Sequence, residues 1–366
     1  MKSFLLGMFC LCVAIAQVSA STEDLIINEF CASNTSGLSI NGTFEDWIEL
    51  RNCTNADIPL AGWSLTDDAN DLHKFTFPET TTVSVRANAY FVIFASGSDV
   101  IVSGGQWQAN FSLSKSGEYL ALVRPDGTIA DELSPAYPEQ VRDVSYGRPL
   151  KDINQWVYFE TPTPRRANNT AGVLYGKIED PVFSHEHGLC SEWFSLSLST
   201  SVEGANIYYT TDGSEPTTAS KRYSSPIFIA STTVIRARAY LNDHLPSDIV
   251  TQSYIFPSDI ASNQNLSRSV RRGPYQNEIR PGLTDLPTIS LVTAETNLYG
   301  SSGIFSNYGS SGEAWERPVS VELLPSETDC LWTETGFQID GGIRVRGATG
   351  RSSAKAPSSR PQLAMS

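Results

Sequence analysis

Histidine is scarce: the 366-residue chain has four, His73, His185, His187 and His244, and neither a G-x-S-x-G elbow nor a helical H-E-x-x-H pattern accompanies them. Serine or cysteine hydrolysis needs a nucleophile beside an imidazole, and no such constellation emerges from the sequence. Positive charge is also short, with 26 Lys and Arg against 40 Asp and Glu and a formal net charge of -14. Phosphate backbones and anionic bilayers repel such a chain, so no nucleic acid is expected as a partner. After residue 20 no apolar run is long enough for a transmembrane helix, and no membrane insertion is expected. Helical periodicity is nearly absent from the same span, which turns the reading toward strands.

What is present starts with a leader. Lys2 precedes the apolar run "FLLGMFCLCVAIA" and then "QVSA", where Val18 and Ala20 suit cleavage after Ala20. Residues 1–20 therefore read as a secretory signal peptide, and the mature chain is expected to be secreted or held at a cell surface. Cys10 and Cys12 leave with the leader, so Cys31, Cys53, Cys190 and Cys330 meet an oxidising compartment. Cys31 ends one strand-like run and Cys53 follows another, which makes Cys31–Cys53 the preferred pairing, with two buried thiols as the alternative.

Short alternating runs separated by Gly, Pro, Asn and Asp recur along the chain, the pattern of all-β domains. In "DWIELRNCTNADIPLAGWSLTDD" (46–68), Ile48 and Leu50 fall on one face and Trp47, Glu49 and Arg51 on the other, so the acidic residues read as the wet face. "GEYLALVRPDGTIADEL" is a hairpin turning at Pro125, Asp126 and Gly127. "FSLSLST" and "TTVIRARAY" alternate again, and "ANIYYTTDGSEP" ends in an Asp212-Gly213 turn. The expected organisation is one domain over 21–150, a Pro- and Asn-rich linker over 151–172, and a second sandwich over 173–257. A polar linker over 258–284 and a third segment over 285–366 follow.

Each segment is similar to a known family. "LIINEFCASN", "DWIELRNCT", "LAGWSLTDD", "FSLSKSGEYLALVRPDG" and "DVSYGRP" resemble the lamin tail domain in its exported form. That resemblance implies an immunoglobulin-like sandwich used for interaction, with no catalytic residues. "IYYTTDGSEPTTASKRYSSPIFIASTTVIRARAY" resembles the β-sandwich at the C-terminus of chitobiases and β-hexosaminidases, an accessory module without the carboxylate pair of a glycosidase. "LPTISLVTAETNLYGSSGIFSN", "AWERPVSVELL" and "GFQIDGGIRVRGATGRSS" resemble the start of a CotH-type kinase domain. There Gly347, Gly350, Arg351 and Lys355 would hold nucleotide phosphates. The acidic base and magnesium ligands of that family lie beyond the point where this sequence departs from it. ATP and Mg are therefore expected only if such a domain were complete, and no cofactor is expected as the chain stands.

Weaker patterns each admit a functional reading and a plain one. Asp67, Asp68, Asn70 and Asp71 offer calcium-type oxygens, or a turn satisfied by its own side chains. His185, His187 and Cys190 could begin a zinc site, or be polar strand-edge residues. Trp63, Trp107, Trp193, Tyr208 and Tyr209 are candidates for a sugar-stacking platform, with core packing the expected place of Trp63 and Trp193. Asn34, Asn41, Asn52, Asn110, Asn168 and Asn265 begin N-x-Ser/Thr sequons, and Arg268, Arg271, Arg272 and Arg280 mark a solvated linker or a processing site. The sequence thus points to an all-β, exported chain of tandem immunoglobulin-like sandwiches with an incomplete α+β segment at its end. Its expected role is non-catalytic binding of an extracellular or cell-surface protein or glycan. The alternative is the N-terminal part of a CotH-type kinase.

Overall fold

The computed structural model describes residues 24–98, 102–103, 105–168, 172–264, 266–310, 312–326 and 336–345. The leader and Gly347, Gly350, Arg351 and Lys355 lie outside the described residues. The chain divides into two compact units, Met1–Val173 and Leu174–Ser366. It is an all-β protein of tandem immunoglobulin-like sandwiches, with short helices in the second unit.

The described residues of the first unit include β1 (Leu25–Cys31), β2 (Asp46–Asn52), β3 (Ile58–Pro59), β4 (Ser64–Thr66), β5 (Phe75–Thr76), β6 (Ser84–Val85), β7 (Tyr90–Ala95), β8 (Val102–Ser103), β9 (Gln106–Ala109), β10 (Leu120–Val123), β11 (Ile129–Leu133), β12 (Ser145–Gly147) and β13 (Val157–Phe159). One sheet runs β13-β12-β1-β2-β7-β9-β8 and faces a second, β11-β10-β4-β5. Between them Leu25, Ile27, Phe30, Ile48, Leu50, Leu65, Phe77, Ile93 and Leu122 form one buried cluster. Strand alternation puts them there, helped by a register shift between Ile27 and Glu29 that returns Phe30 to the core side. The β10–β11 hairpin turns where expected, with Gly127 at φ 84, a conformation that suits glycine.

The opposite face of β1 and β2 is dry, which overturns the reading of its acidic residues as solvent-facing. Glu29 and Glu49 are fully buried. Trp47, Cys31 and Phe94 pack there with Ile40 and Leu38 from the loop after β1. Farther along the same face, Thr163, Arg165 and Asn168 close over the two glutamates with backbone and side-chain hydrogen bonds. The stretch 151–172 is accordingly no linker: it supplies β13 and this cover.

The expected Cys31–Cys53 disulfide is absent. Cys31 stands opposite Trp47, whereas Cys53 follows Asn52, which stands opposite Leu25 at the other end of the ladder. The two thiols are thus roughly 20 Å apart along the strands, far beyond the Cα separation a disulfide spans. Cys31 Sγ instead donates to the Val144 carbonyl at 3.6 Å, and burial pushes its thiol up to about 12.

The unit ends in β14 (Val173–Leu174), where the chain passes into the second unit. That unit holds β15 (Val182–Phe183), β16 (Gly188–Leu189), β17 (Phe194–Leu196), β18 (Leu198–Ser199), β19 (Asn206–Thr210), β20 (Lys221–Arg222), β21 (Ile227–Ile229), β22 (Thr233–Tyr240) and β23 (Val250–Ile255). The sheet β16-β23-β22-β19-β20 packs on the pairs β17-β21 and β15-β18. Leu196, Ile207, Tyr209, Ile229, Ile235, Ala237, Ala239 and Tyr254 fill the space between. The stretch 258–284 is not an extended linker but carries three short helices, α1 (Pro257–Ser262), α2 (Arg268–Arg272) and α3 (Ile279–Asp285). Arg268, Arg271 and Arg272 lie on α2 and Arg280 on α3, and only Pro257 of the three helices is buried.

A three-stranded sheet follows from β24 (Thr288–Val292), β25 (Arg317–Leu324) and β26 (Phe337–Ile343), with α4 (Glu295–Tyr299) between its first two strands. Ser290, Ser320 and Glu322 are buried with Val292 and Leu324 on one face. The register aligns Ile289, Leu323 and Phe337 in one cross-strand row and Leu291, Val321 and Ile339 in the next, on the other face.

Candidate binding surface

β17 and β21 pair with Phe194 opposite Ile229, Ser195 opposite Phe228 and Leu196 opposite Ile227. Leu196 and Ile229 point into the core, so Ser195 and Phe228 must point out. Trp193, two residues before Ser195, falls on the same outer side and diagonally across from Phe228. The two rings stand 5.4 Å apart at 45°, with Trp193 66% and Phe228 63% exposed.

Three hollows border this aromatic pair. Phe228 borders a cleft of about 810 Å³ whose walls include Ile229, Val234, Ile260 and Leu291 and whose polar groups include Asp212 and Asp259. Asp259 is fixed there by the Thr232 N–H, which donates to its carboxylate at 2.7 Å. Phe228 also borders a smaller hollow of about 280 Å³ with Tyr209, Lys221 and Arg222. Trp193 borders a third, of about 390 Å³, lined by His185, His187, Cys190 and Tyr254.

The sequence expected Trp193 in a core, and the structure places it outside. Trp63 is buried as expected, Trp107 packs against the first core, and Tyr209 is buried in the second. With Trp63 buried in the first core and Tyr209 in the second, the five candidates form no open stacking platform. Phe228, which is not among the sequence candidates, supplies the ring beside Trp193. Strand alternation in "SPIFIA" was a signal for it, since Phe228 lies between two core isoleucines.

His185, His187 and Cys190 share a hollow but are engaged separately. The His185 ring stacks on Phe194 at 4.3 Å, His187 Nδ1 lies 2.9 Å from Glu322 Oε1, and Cys190 Sγ donates to the Gly188 carbonyl at 3.7 Å. Glu322 also accepts from the Ser253 N–H at 2.9 Å and from its hydroxyl. Ser253, Glu322 and His187 thus meet, but the carboxylate stands between serine and imidazole and Ser253 is buried, so the order needed for nucleophilic catalysis is not there. The contacts pin β25 to β23.

The calcium-type loop is spent on its own turn. Asp67 pairs with Lys74 at 2.6 Å, Asp68 accepts from the Asn70 backbone and side chain, and Asp71 accepts from the His73 N–H. Those bonds hold the exposed Asp68 carboxyl below its ordinary range. Among the described residues no group of three or more His, Cys, Asp and Glu is arranged to hold a metal. Nor is any described helix long and apolar enough to cross a membrane.

The first unit also holds a buried polar cluster that strand alternation does not signal. Glu29 Oε1 accepts from Ser145 Oγ at 2.5 Å and from the Thr163 N–H at 2.8 Å, and Glu29 Oε2 accepts from Thr163 Oγ1 at 2.8 Å. Glu49 accepts from Asn28 Nδ2 at 2.8 Å and from the Arg165 N–H. Burial raises both carboxyls, that of Glu49 to about 8, and each glutamate is the cross-strand partner of the other. Beside them Arg148 bonds Asp131 at 2.6 Å and lies over the Trp156 ring at 4.5 Å. Glu29, Glu49, Ser145 and Thr163 are all fully buried.

Comparison with curated proteins finds no match. Among solved structures, the fibronectin(III)-like modules of Clostridium thermocellum CbhA align over 62% of this chain and 90% of theirs, at 10% identity and a TM-score of 0.16. Drosophila N-cadherin EC1-3 aligns over 78% and 88%, at 10% identity and a TM-score of 0.13. The sialic acid binding region of a Streptococcus sanguinis adhesin aligns over 85% and 95%, at 8% identity and a TM-score of 0.12. Scores this low carry no inference about function. Residues 188–251 match the family model of the Chitobiase/beta-hexosaminidase C-terminal domain, and residues 18–136 match that of the Lamin Tail Domain.

Proposed function

We propose that this is an exported, non-catalytic binding protein whose second unit takes carbohydrate on the Trp193–Phe228 pair. The observation that carries it is the exposure of two large neighbouring rings on a sandwich that has already filled its core. Exposed rings of this kind cost solvation and mark interaction sites. Aromatic faces stack on the C–H faces of sugar rings, while the nearby Ser191, Ser195, Ser224 and Glu192 supply hydroxyl and carboxylate partners for sugar hydroxyls. The leader read over residues 1–20 delivers the chain to where such glycans are.

The test is a glycan array and titration with the secreted full-length chain, the Trp193→Ala variant and the Phe228→Ala variant. Both substitutions should weaken binding about tenfold or more, as loss of a central aromatic anchor does. Unfolding should shift by less than about 0.5 kcal/mol, as expected of exposed positions. Unchanged glycan affinity in both variants would remove the aromatic pair from the binding surface, and binding of a protein but no glycan would replace the ligand class.

A further inference from the structure

The sequons are not equivalent once folded. Asn34 is buried, its Nδ2 donating to the Leu38 and Glu45 carbonyls at 2.6 and 2.7 Å while its Oδ1 accepts from the Gly37 N–H at 3.0 Å. Asn52 is fully buried, with Nδ2 donating to the Ala56 and Val85 carbonyls at 2.7 and 2.9 Å. Asn168 is buried over the glutamate cluster, with Nδ2 donating to the Arg148 and Asn28 carbonyls at 3.0 and 3.3 Å. In all three, the nitrogen that would carry a sugar is already a donor to two backbone carbonyls in a dry site. A glycan there would leave buried carbonyls unsatisfied and force the cover off its sheet.

Two other sequons lie at the surface. Asn110 is exposed where the chain leaves β9, Phe111 is anchored in the core, and Ser112 is exposed again. The acceptor amide and the sequon hydroxyl thus face water together where the chain bends after β9. Asn41 and Gly42 form the tip of a tight turn between Ile40 and Thr43, at φ 53 and 85, and both are exposed. Asn265 lies outside the described residues.

We propose that Asn110 and Asn41 are N-glycan acceptors and that Asn34, Asn52 and Asn168 are not. The donor is an oligosaccharide carried on a lipid pyrophosphate. The asparagine Nδ2 bonds to the anomeric carbon, the bond from that carbon to the phosphate oxygen breaks, the lipid pyrophosphate leaves, and one amide proton is lost to a base. Asp46 stands opposite Ala95, and Ala95 opposite Ala109, so the turn before β2 and the residue after β9 belong to the same end of the sheet. Both glycans would mark that end and leave the end with Asn52 and Ile58 bare.

This inference rests on the reading of the chain as exported, and the experiment separates the two. The full chain is expressed in a eukaryotic secretory host with its own leader, and in parallel with a host leader replacing residues 1–20. Secreted protein is treated with peptide N-glycosidase in heavy-oxygen water, which labels each formerly glycosylated asparagine as aspartate, and the peptides are mapped. Label at Asn110 and Asn41, with none at Asn34, Asn52 or Asn168, is the expected result. The Asn110→Gln variant should lose one glycan and unfold as the parent does. Label at any of the three buried positions of folded, secreted protein, or none at Asn110, overturns the proposal. If only the host-leader form is secreted and carries the two labels, the export reading falls while this inference stands.

Discussion

Raising the pH should loosen the first unit well before any gross unfolding, and Glu49 is the reason. Its carboxyl is pushed from 4.5 to about 8, first by desolvation and further by the charge of Glu29. Below pH 4.5 the folded and unfolded chains both hold that proton. Between pH 4.5 and about 8 the folded carboxyl keeps it and the unfolded one releases it, so each step upward favours unfolding. A displacement of this size corresponds to on the order of 5 kcal/mol across that window, after which the slope ends. Urea unfolding of the full chain at pH 5 and pH 8 measures it, the first unit's transition being the one that Leu65→Ala displaces. Glu49→Gln mimics the protonated side chain and should flatten the dependence, lying within about 1 kcal/mol of the parent at pH 5 and above it at pH 8. Parent and variant curves that fall in parallel with pH would show that the carboxyl is ionised throughout and would refute the reasoning.

Arg148→Ala should cost about 3–5 kcal/mol in urea unfolding, because it strands the buried Asp131 carboxylate along with the Ile27 and Ile153 carbonyls that the guanidinium serves. Arg148→Lys should recover only part of that, since an ammonium cannot span the same partners. At Gly117, φ 92, an added Cβ would meet the Tyr137 carbonyl oxygen at 2.2 Å, so Gly117→Ala should lower stability by more than about 2 kcal/mol. Gly127→Ala, also at positive φ but in open space, should cost only about 1–2 kcal/mol in the same assay. Glu322→Ala leaves Ser253 and His187 without their acceptor and should raise the rate of limited proteolysis in the α1–α3 stretch several-fold. An unchanged cleavage rate would mean that these bonds do not hold β25 to β23.

The sandwiches were legible because alternation, turn residues and core aromatics agree along most of the chain. "GEYLALVRPDGTIADEL" folds as its pattern says, and Ile235, Ala237 and Ala239 line the second core as their spacing requires. What alternation does not report is whether a second layer covers the other face. Glu49 and Trp47 sit at the polar positions of β2 and are dry because the segments holding Ile40 and Thr163 fold back over them, a contact of long sequence separation. The same blindness made 151–172 look like a linker. The disulfide failed for a related reason: nearness of Cys31 and Cys53 to adjacent strands says nothing about which ends of those strands meet.

The third sheet carries this furthest. Its alternation is clean, with Ser290 and Glu322 on one face and Ile289 and Ile339 on the other, and hydrophobicity alone would bury the second set. The structure buries the first. Glu322 has three contacts to meet, since Ser253 supplies an N–H and a hydroxyl and His187 a ring nitrogen, and Ser290 adds a hydroxyl contact to Ser253 at 2.8 Å. A polar face whose groups are all satisfied can be buried at little net cost, whereas the same carboxylate buried against an apolar face would pay its whole desolvation. The face that docks is thus chosen by what it meets: β23 offers Ser253, and only the serine and glutamate side of the sheet can answer it. Ile289 and Ile339 are left 52% and 56% exposed by that choice. Which side of a strand lies inward is a property of the pair of surfaces, and one strand's sequence contains only half of it.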